Sequence, residues 1–272
     1  MNNTFDFNRF KNLLINDGKM YIRNFGTSLI VFCCLPAIFW IFNLLFGTET
    51  EELARYGFIF IVVGIVMMIV PSKVYGHANL SREGVHFAMM PASALEKFLS
   101  MFVYCAIVTP IVTFFGSYLV DALLSLFPFG GFEKPIHLYT LNELSHVDEP
   151  VLDNHEINAS LFIGKIRVVL CMVFIMWSSI FMLGNMIFKK HKVGKTFVCY
   201  LGINYLFSTL FGAFIFSNTE RIEQWAERFK DFAEADVIRL FNNGTLVGML
   251  ISIIIPAVLL YFTYRKIKTQ KY

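Results

Sequence analysis

The chain has 272 residues, of which 56% are hydrophobic and only 16% are charged, and its mean hydropathy is +0.60. Because a soluble domain carries about 25% charged residues, this composition excludes a soluble enzyme, a disordered regulator and a nucleic-acid-binding protein. The formal net charge of +3 is small, and all five cysteines lie in apolar runs, so no disulfide framework is expected. The composition predicts an integral membrane protein.

The N-terminal segment, residues 1–23, has the pattern of an amphipathic cytoplasmic helix. Asp17 intrudes on its apolar arc, so we expect the helix to break near Asp17 and Gly18 and to lie in the plane of the membrane interface. A membrane anchor and a docking element both fit this pattern. The apolar arc comprises Phe7, Phe10, Leu13, Leu14, Met20 and Tyr21.

Six stretches without Asp, Glu, Lys or Arg follow, and each approaches the roughly 20 residues that a bilayer-spanning helix needs. We therefore predict an all-α integral membrane protein with six transmembrane helices, a single domain over residues 1–272. Residues 24–264 would hold the spans with their loops, and residues 265–272 a basic tail. The stretches are residues 24–48, 56–72, 98–120, 168–188, 196–219 and 242–264.

The charged residues of the connections predict the orientation of these spans. The N-terminal segment, the second and fourth connections and the tail carry most of the 23 Lys and Arg residues and few of the 20 Asp and Glu residues. Short basic connections remain in the cytoplasm. Both termini are therefore expected to be cytoplasmic.

The second connection, residues 73–97, is the longest one on the predicted cytoplasmic side. Ser93 and Glu96 have the spacing of a capping box, so a helix should begin there and continue into the third span. The moderately apolar stretch before it, with Val85 and Phe87, suits a short surface helix on which another protein packs. An ordinary ordered loop is the alternative.

The outer connections are acidic. Residues 129–166 are rich in Pro and Gly, which predicts irregular structure. In the fifth connection Trp225, Phe229 and Phe232 share one helical face with Ile222 and Leu240, which predicts a second amphipathic helix on the outer leaflet.

Sequence patterns for catalysis or ion coupling are weak. Residues 193–196 (VGKT) resemble the end of a phosphate-binding loop, but that loop's first glycine and preceding strand are missing. His137, His146 and His155 lie in the outer acidic loop at a spacing that fixes no metal geometry. Asp121 is read as an interfacial carboxylate rather than a proton or substrate site. We therefore predict no catalytic, cofactor or metal site.

Amide side chains inside the spans have a structural interpretation. Asn43, Asn185 and Asn204 are more readily explained as hydrogen-bonding partners between helices than as ligands of a substrate. The spans thus offer no ionisable group at mid-depth with which to harness an ion gradient. The driving force for any transport would come from another subunit.

The layout resembles the permease subunits of type-2 ABC transporters. Those have six spans with both termini inside, an amphipathic helix before the first span, a coupling segment between the second and third, and an outer helical element before the sixth. The counterparts here are residues 7–21, 77–97 and 219–239, and the nearest local match is residues 90–100 (MPASALEKFLS), where Met90 replaces the family's usual Leu.

This resemblance implies the membrane subunit of an ATP-driven transporter with an export or lipid-linked transport role, and the charge bias of the short loops fits the inner membrane. A separate ATPase subunit would bind ATP and Mg²⁺, so the chain itself would hold no cofactor, and a second permease copy or related permease would complete the assembly. Hydrolysis would be coupled to the spans through rigid helices. The residues expected to touch the ATPase are Arg9, Phe10, Leu13, Arg82, Glu83, Val85, His86 and Phe87.

Three other classes of function remain open on the sequence, one of them a membrane enzyme, for which only the histidines of the outer loop offer candidate residues. A structural or assembly membrane protein would need no ATPase partner. A stand-alone channel or secondary transporter would act without ATP and would be sensitive to Asp121→Asn.

Overall fold

The computed structural model describes residues 5–47, 52–80, 83–127, 132, 136, 159–219 and 234–269. Within these residues the regular secondary structure is helical throughout, and there is no strand. The helices are α1 (Phe7–Cys33), α2 (Pro36–Phe46), α3 (Glu52–Val74), α4 (Glu83–Met89), α5 (Ala94–Phe102), α6 (Thr109–Leu124), α7 (Ala159–Ile187), α8 (Lys192–Ser217) and α9 (Glu234–Thr269), with a 3₁₀ turn at Gly76–Asn79 and a π-helical segment at Val103–Val108.

Five helical stretches among the described residues are long and apolar enough to cross a membrane: Phe7–Phe46, Ala54–Val74, Ala94–Leu124, Lys192–Phe214 and Leu250–Thr269. A shorter apolar helix, Cys171–Ile187, coincides with the predicted fourth span. The all-α class and the membrane-compatible character are thus confirmed. The count of six spans and the cytoplasmic placement of both termini stay predictions.

The N-terminal helix differs from the sequence expectation. α1 is one continuous helix that passes through Asp17 and Gly18, so the predicted break there is wrong. Its buried face, Leu13, Asp17, Tyr21 and Phe25, repeats every four residues. The Asp17 carboxylate accepts hydrogen bonds from buried hydroxyl groups, and this contact offsets the cost of burying a charge.

The helix ends instead at Cys33, and after Cys34 and Leu35 the second helix begins at Pro36. Leu35 keeps helical backbone angles, but Pro36 has no N–H to donate to the carbonyl four residues before it and its ring crowds that carbonyl, so the helical hydrogen bonding is interrupted there. Gly47, with φ of 61°, then ends α2 in the left-handed conformation that glycine adopts without strain. The first predicted span is therefore a broken helix that continues the N-terminal helix.

The third predicted span begins at the capping box, as expected. The Ser93 hydroxyl accepts a hydrogen bond from the Glu96 amide, and the Glu96 carboxylate accepts one from the Ser93 amide. α5 then continues through the π-helical segment into α6. Pro110 has no N–H to donate, and the Thr109 amide and hydroxyl both bond the Tyr104 carbonyl, which accounts for the wider turn.

The core lies where α1, α3, α5 and the end of α7 meet. It contains Tyr21, Phe25, Val66, Val70, Tyr75, Met101, Met182 and Met186. By contrast, the described residues of α8 expose apolar side chains on all sides of the helix. Among them, Phe207 and Phe211 are 71% and 65% exposed. A helix that is apolar on all sides suits a hydrocarbon environment.

Candidate functional site

A short helix outside the spans marks the candidate site. α4 (Glu83–Met89) follows the 3₁₀ turn and precedes the capping box, which confirms the short helix expected in the second connection. Val85 and Met89 lie one turn apart and are 39% and 77% exposed, whereas Phe87 is 3% exposed. The Phe87 ring packs edge-on against His77, with ring centroids 6.0 Å apart. α4 thus has an apolar outer face and an anchored inner face.

Lys97 holds the end of α4. Its Nζ donates hydrogen bonds to the carbonyl oxygens of Phe87 at 2.6 Å and Ala88 at 3.2 Å, and it lies 5.1 Å from the centroid of the Phe87 ring. The last carbonyls of a helix lack intrahelical partners and carry partial negative charge, so an ammonium group stabilises them. Since Lys97 belongs to α5, it joins α4 to the third span directly.

Glu96 joins the N-terminal ends of two helices. One carboxylate oxygen, Oε2, accepts from the Ser93 amide at 2.8 Å, and the other, Oε1, accepts from the Asp6 amide at 2.8 Å and from Arg9 Nη2 at 3.1 Å. Asp6 in turn caps α1, its carboxylate accepting from the Asn8 and Arg9 amides. Negative charge is favourable at a helix N-terminus. Glu96, which is fully buried, therefore fixes α1 against α5.

Asp17 on α1 forms the centre of a buried polar cluster, which α5 reaches through Ser100, one helical turn beyond Glu96. Its Oδ2 accepts hydrogen bonds from Ser100 Oγ at 2.6 Å and from Tyr75 Oη at 3.0 Å. Burial and the neighbouring carboxylate raise the pKa of the Tyr75 phenol well above its ordinary value, so the phenol keeps the proton that it donates. Nearby, Tyr104 Oη donates to the Leu14 carbonyl at 2.8 Å. These bonds tie α1, the end of α3 and α5 together.

The turn that follows α3 is fixed from the opposite side. Asn185 Nδ2 on α7 donates to the Tyr75 carbonyl at 3.1 Å, and Asn79 Nδ2 donates to the Phe188 carbonyl at 3.2 Å. Lys192, at the start of α8, donates to the Gly76 carbonyl. Asn185 is therefore an interhelical partner as predicted, whereas the exposed Asn204 bonds the Tyr200 carbonyl of its own helix.

Asp121, near the C-terminal end of α6, has a clear partner on α3. Arg55 Nη1 lies 3.2 Å from both of its carboxylate oxygens, and both side chains are nearly fully buried. The Arg55 guanidinium lies 4.2 Å from the centroid of the Phe132 ring, and the Ile136 amide donates to the Asp121 carboxylate. Asp121 is thus buried in an ion pair rather than open at the interface. Its local role is to join α3, α6 and the segment that follows α6.

The predicted partner-contact residues fall into three groups. Arg9 has a side chain 31% exposed and pairs with Glu96, and Val85 is exposed. Leu13 and Phe87 are buried and support the surface from beneath, and Phe10 is partly buried. Glu83 and His86 lie on α4, but their side chains, like all of Arg82, lie outside the described residues.

The other predicted sites are placed as follows. Trp225, Phe229 and Phe232 of the predicted outer helix, and the three histidines of the outer loop, lie outside the described residues. Residues 193–196 form part of the first turns of α8, and a helix rather than a strand precedes them. Within the described residues no group of three or more His, Cys, Asp or Glu side chains could hold a metal ion.

Sequence reasoning missed four members of the site. Ser100 and Tyr75, which are the partners of Asp17, have no local sequence pattern that marks them. Asp17 itself was the signal, because an acidic residue on an apolar arc indicates a buried partner. The contact of Lys97 with α4 was equally unforeseen. Met89, the most exposed apolar side chain of α4, lies one turn beyond Val85, and this spacing could have identified it.

Comparison with known proteins adds no identification: no family model, no curated protein and no solved structure matches this chain.

Proposed function

We propose that the chain is the membrane-spanning permease subunit of a type-2 ABC transporter, an exporter whose ATP is hydrolysed by a separate subunit. In this proposal six spans lie in the inner membrane, both termini are cytoplasmic, and two permeases work with two ATPases. ATP and Mg²⁺ bind the ATPase, and this chain acts as the mechanical coupling element rather than as an enzyme.

The brace between α4 and the third span is the observation that carries this proposal. Lys97 bonds the last carbonyls of α4, and it lies in α5, which continues without interruption into α6. A displacement of α4 would therefore move the third span as well. Transmission of motion between two proteins requires such a rigid connection, because a flexible loop would absorb the displacement.

The surface available to an ATPase combines apolar and charged groups. Val85 and Met89 project from α4, and the partly exposed Arg9 lies near the same end of α5 through its contact with Glu96. We propose that Arg82 and Glu83, which adjoin this surface in the sequence, also contact the ATPase. Phe10, Leu13, His86 and Phe87 complete the assigned region, with the buried Leu13 and Phe87 holding its shape.

The environment of Asp121 disfavours the stand-alone transporter as an alternative. A proton or ion site must change its charge state or its ligand during the transport cycle. Asp121 is instead paired with Arg55 and accepts a hydrogen bond from the Ile136 amide, while the Phe132 ring packs on the Arg55 guanidinium. Loss of a buried partner costs about 3–5 kcal/mol, which opposes cyclic release of the carboxylate.

Charge reversal at the proposed contact surface tests this function. The double variant Arg82→Glu/Glu83→Lys, and separately Met89→Glu, should lose copurification with a nucleotide-binding subunit in mild detergent and lose ATP-dependent transport. Lys268→Glu, in the exposed last turn of α9, is the matched control and should retain both. Variants that keep ATPase association and coupled activity would remove the assignment of this surface.

A further inference from the structure

A basic cleft lies between the end of α3 and the turn that joins α7 to α8. Its volume is about 670 Å³, and Lys73, Lys189, His191 and Lys192 contribute to its wall together with Ser72 and Gly194. Among the described residues that form this wall there is no Asp or Glu. The cleft therefore concentrates positive charge in a space large enough for a phosphate group and its substituents.

The backbone fixes this arrangement of charges. Only residues 188–191 separate α7 from α8, and His191 closes the turn with φ of 49°, a left-handed conformation that histidine adopts more readily than most residues. Below the turn, α7 approaches α8 so closely that a Cβ on Gly184 would lie 2.0 Å from Thr196 Oγ1. Lys192 is also bonded to the Gly76 carbonyl, so the two walls of the cleft are joined.

An apolar groove lies along the same face of α3. It has a volume of about 350 Å³ and is lined by Ile61, Ile65, Met68, Phe174 and Trp177 on α3 and α7. With 100° per residue, Ile61, Ile65, Met68 and Ser72 fall within about 60° of arc. The groove thus leads along α3 toward the basic cleft. An apolar groove followed by a basic cleft matches the arrangement of an acyl chain and an anionic headgroup in a lipid.

We propose that this cleft and groove bind one anionic phospholipid, with its phosphate among Lys73, Lys189 and Lys192 and an acyl chain beside Trp177. Charge complementarity favours an anionic headgroup, and the apolar groove favours a lipid over a free phosphate. The bound lipid would fix the turn between α7 and α8 to the end of α3. This inference rests on the membrane placement of the chain but not on its transport role.

Fluorescence quenching of Trp177 tests the proposal in the full chain. Trp40 and Trp225, the other two of the three tryptophans, are changed to Phe, and the protein is placed in vesicles that contain brominated phosphatidylglycerol or brominated phosphatidylcholine. We expect phosphatidylglycerol to quench Trp177 at a lower mole fraction. Equal quenching by the two lipids would overturn the proposal, and this comparison needs no change to the cleft.

Lysine variants test whether the lysines of the cleft cause the preference for phosphatidylglycerol. Lys73→Gln/Lys189→Gln should reduce the preference for phosphatidylglycerol by about 25-fold, since each basic residue near a membrane surface contributes about fivefold. Lys190→Gln/Lys195→Gln removes the same charge from exposed positions outside the cleft wall and should reduce the preference much less, by the general surface-charge effect alone. An equal loss in both variants would show general surface charge and contradict the site.

Competition distinguishes the source of the phosphate. Inorganic phosphate added to the vesicles should not restore Trp177 fluorescence, because it cannot occupy the apolar groove. Release of the brominated lipid by inorganic phosphate would identify a free-anion site and overturn the lipid proposal. Since no ATPase is present in these measurements, their failure leaves the proposed transport function standing, and failure of ATPase association leaves the lipid site standing.

Discussion

Substitution of Glu96 by Gln probes the contact that fixes α1 against α5. The carboxylate accepts hydrogen bonds from the Asp6 and Ser93 amides and from Arg9. Glutamine keeps one acceptor oxygen and replaces the other by an NH₂ group that faces a donor. At least one hydrogen bond to a charged acceptor is therefore lost, and those that remain are weakened because the charge is gone.

The expected loss of stability follows from the hydrogen bonds that the Glu96 carboxylate accepts. A hydrogen bond to a charged group contributes about 1.5–3 kcal/mol, and an unsatisfied buried donor costs about 1–3 kcal/mol. We therefore expect Glu96→Gln to lower the free energy of unfolding by about 2–4 kcal/mol. Arg9→Met is the comparison variant: it removes one donor to the Glu96 carboxylate and leaves both backbone hydrogen bonds, and because the Arg9 side chain is 31% exposed its cost is expected to be smaller, about 1 kcal/mol.

Thermal unfolding in detergent, followed by circular dichroism, measures the global effect. Hydrogen exchange measures the local one, since the loss of the Asp6 contact should expose the first turn of α1. Faster exchange confined to residues 7–13 is expected in Glu96→Gln and not in Arg9→Met. Equal destabilisation by the two variants, or unchanged exchange in α1, would refute the role assigned to Glu96.

Three further substitutions test other contacts by thermal unfolding. Asp17→Leu leaves two buried hydroxyl groups without their acceptor and should cost about 2–4 kcal/mol; an unaltered midpoint would contradict the cluster. Gly184→Ala places a Cβ against Thr196, whereas the same change at Gly202 meets no atom within 4 Å, so only the first should destabilise, and equal midpoints would exclude close packing of α7 and α8. Asp121→Asn leaves the Arg55 guanidinium, 4% exposed as a residue, without a carboxylate and should cost about 3–5 kcal/mol. A stable Asp121→Asn variant that has lost transport would favour a transport role for this residue instead.

Local sequence patterns predicted the local structure well. The spacing of Ser93 and Glu96 predicted the start of α5 because a capping box involves residues only three positions apart. Long uncharged stretches predicted the apolar helices for the same reason, since hydropathy is a property of the segment itself. Asn185 was correctly read as an interhelical partner.

Contacts between distant residues could not be predicted in this way. Asp17 was expected to break α1, yet its partners Tyr75 and Ser100 lie 58 and 83 positions along the chain. A single sequence gives no signal of which hydroxyl groups the fold brings to a carboxylate. The same limit hid the ion pair of Arg55 with Asp121, 66 positions apart.

Two local signals could have interrupted the helical stretch that runs from the N-terminal helix into the first predicted span. Asp17–Gly18 and Pro36 were both potential breakpoints on helix propensity. The tertiary contacts of Asp17 overrode the first, and Tyr104 covers Gly18 so closely that a Cβ there would lie 2.5 Å from its hydroxyl. Proline lacks the N–H and its ring crowds the carbonyl four residues before it, which favours the break at Pro36, although α3 and α9 pass through Pro71 and Pro256 without one.

Photocrosslinking from Met89 in intact cells tests the central claim most directly. A photoreactive residue at this position, 77% exposed on α4, is compared with one at Phe127, 57% exposed beyond the opposite end of the third span. We predict that the Met89 position crosslinks a cytosolic ATPase that carries nucleotide-binding motifs and that the Phe127 position does not. Failure of Met89 to crosslink such a subunit, together with solute transport by the isolated chain, would contradict the account.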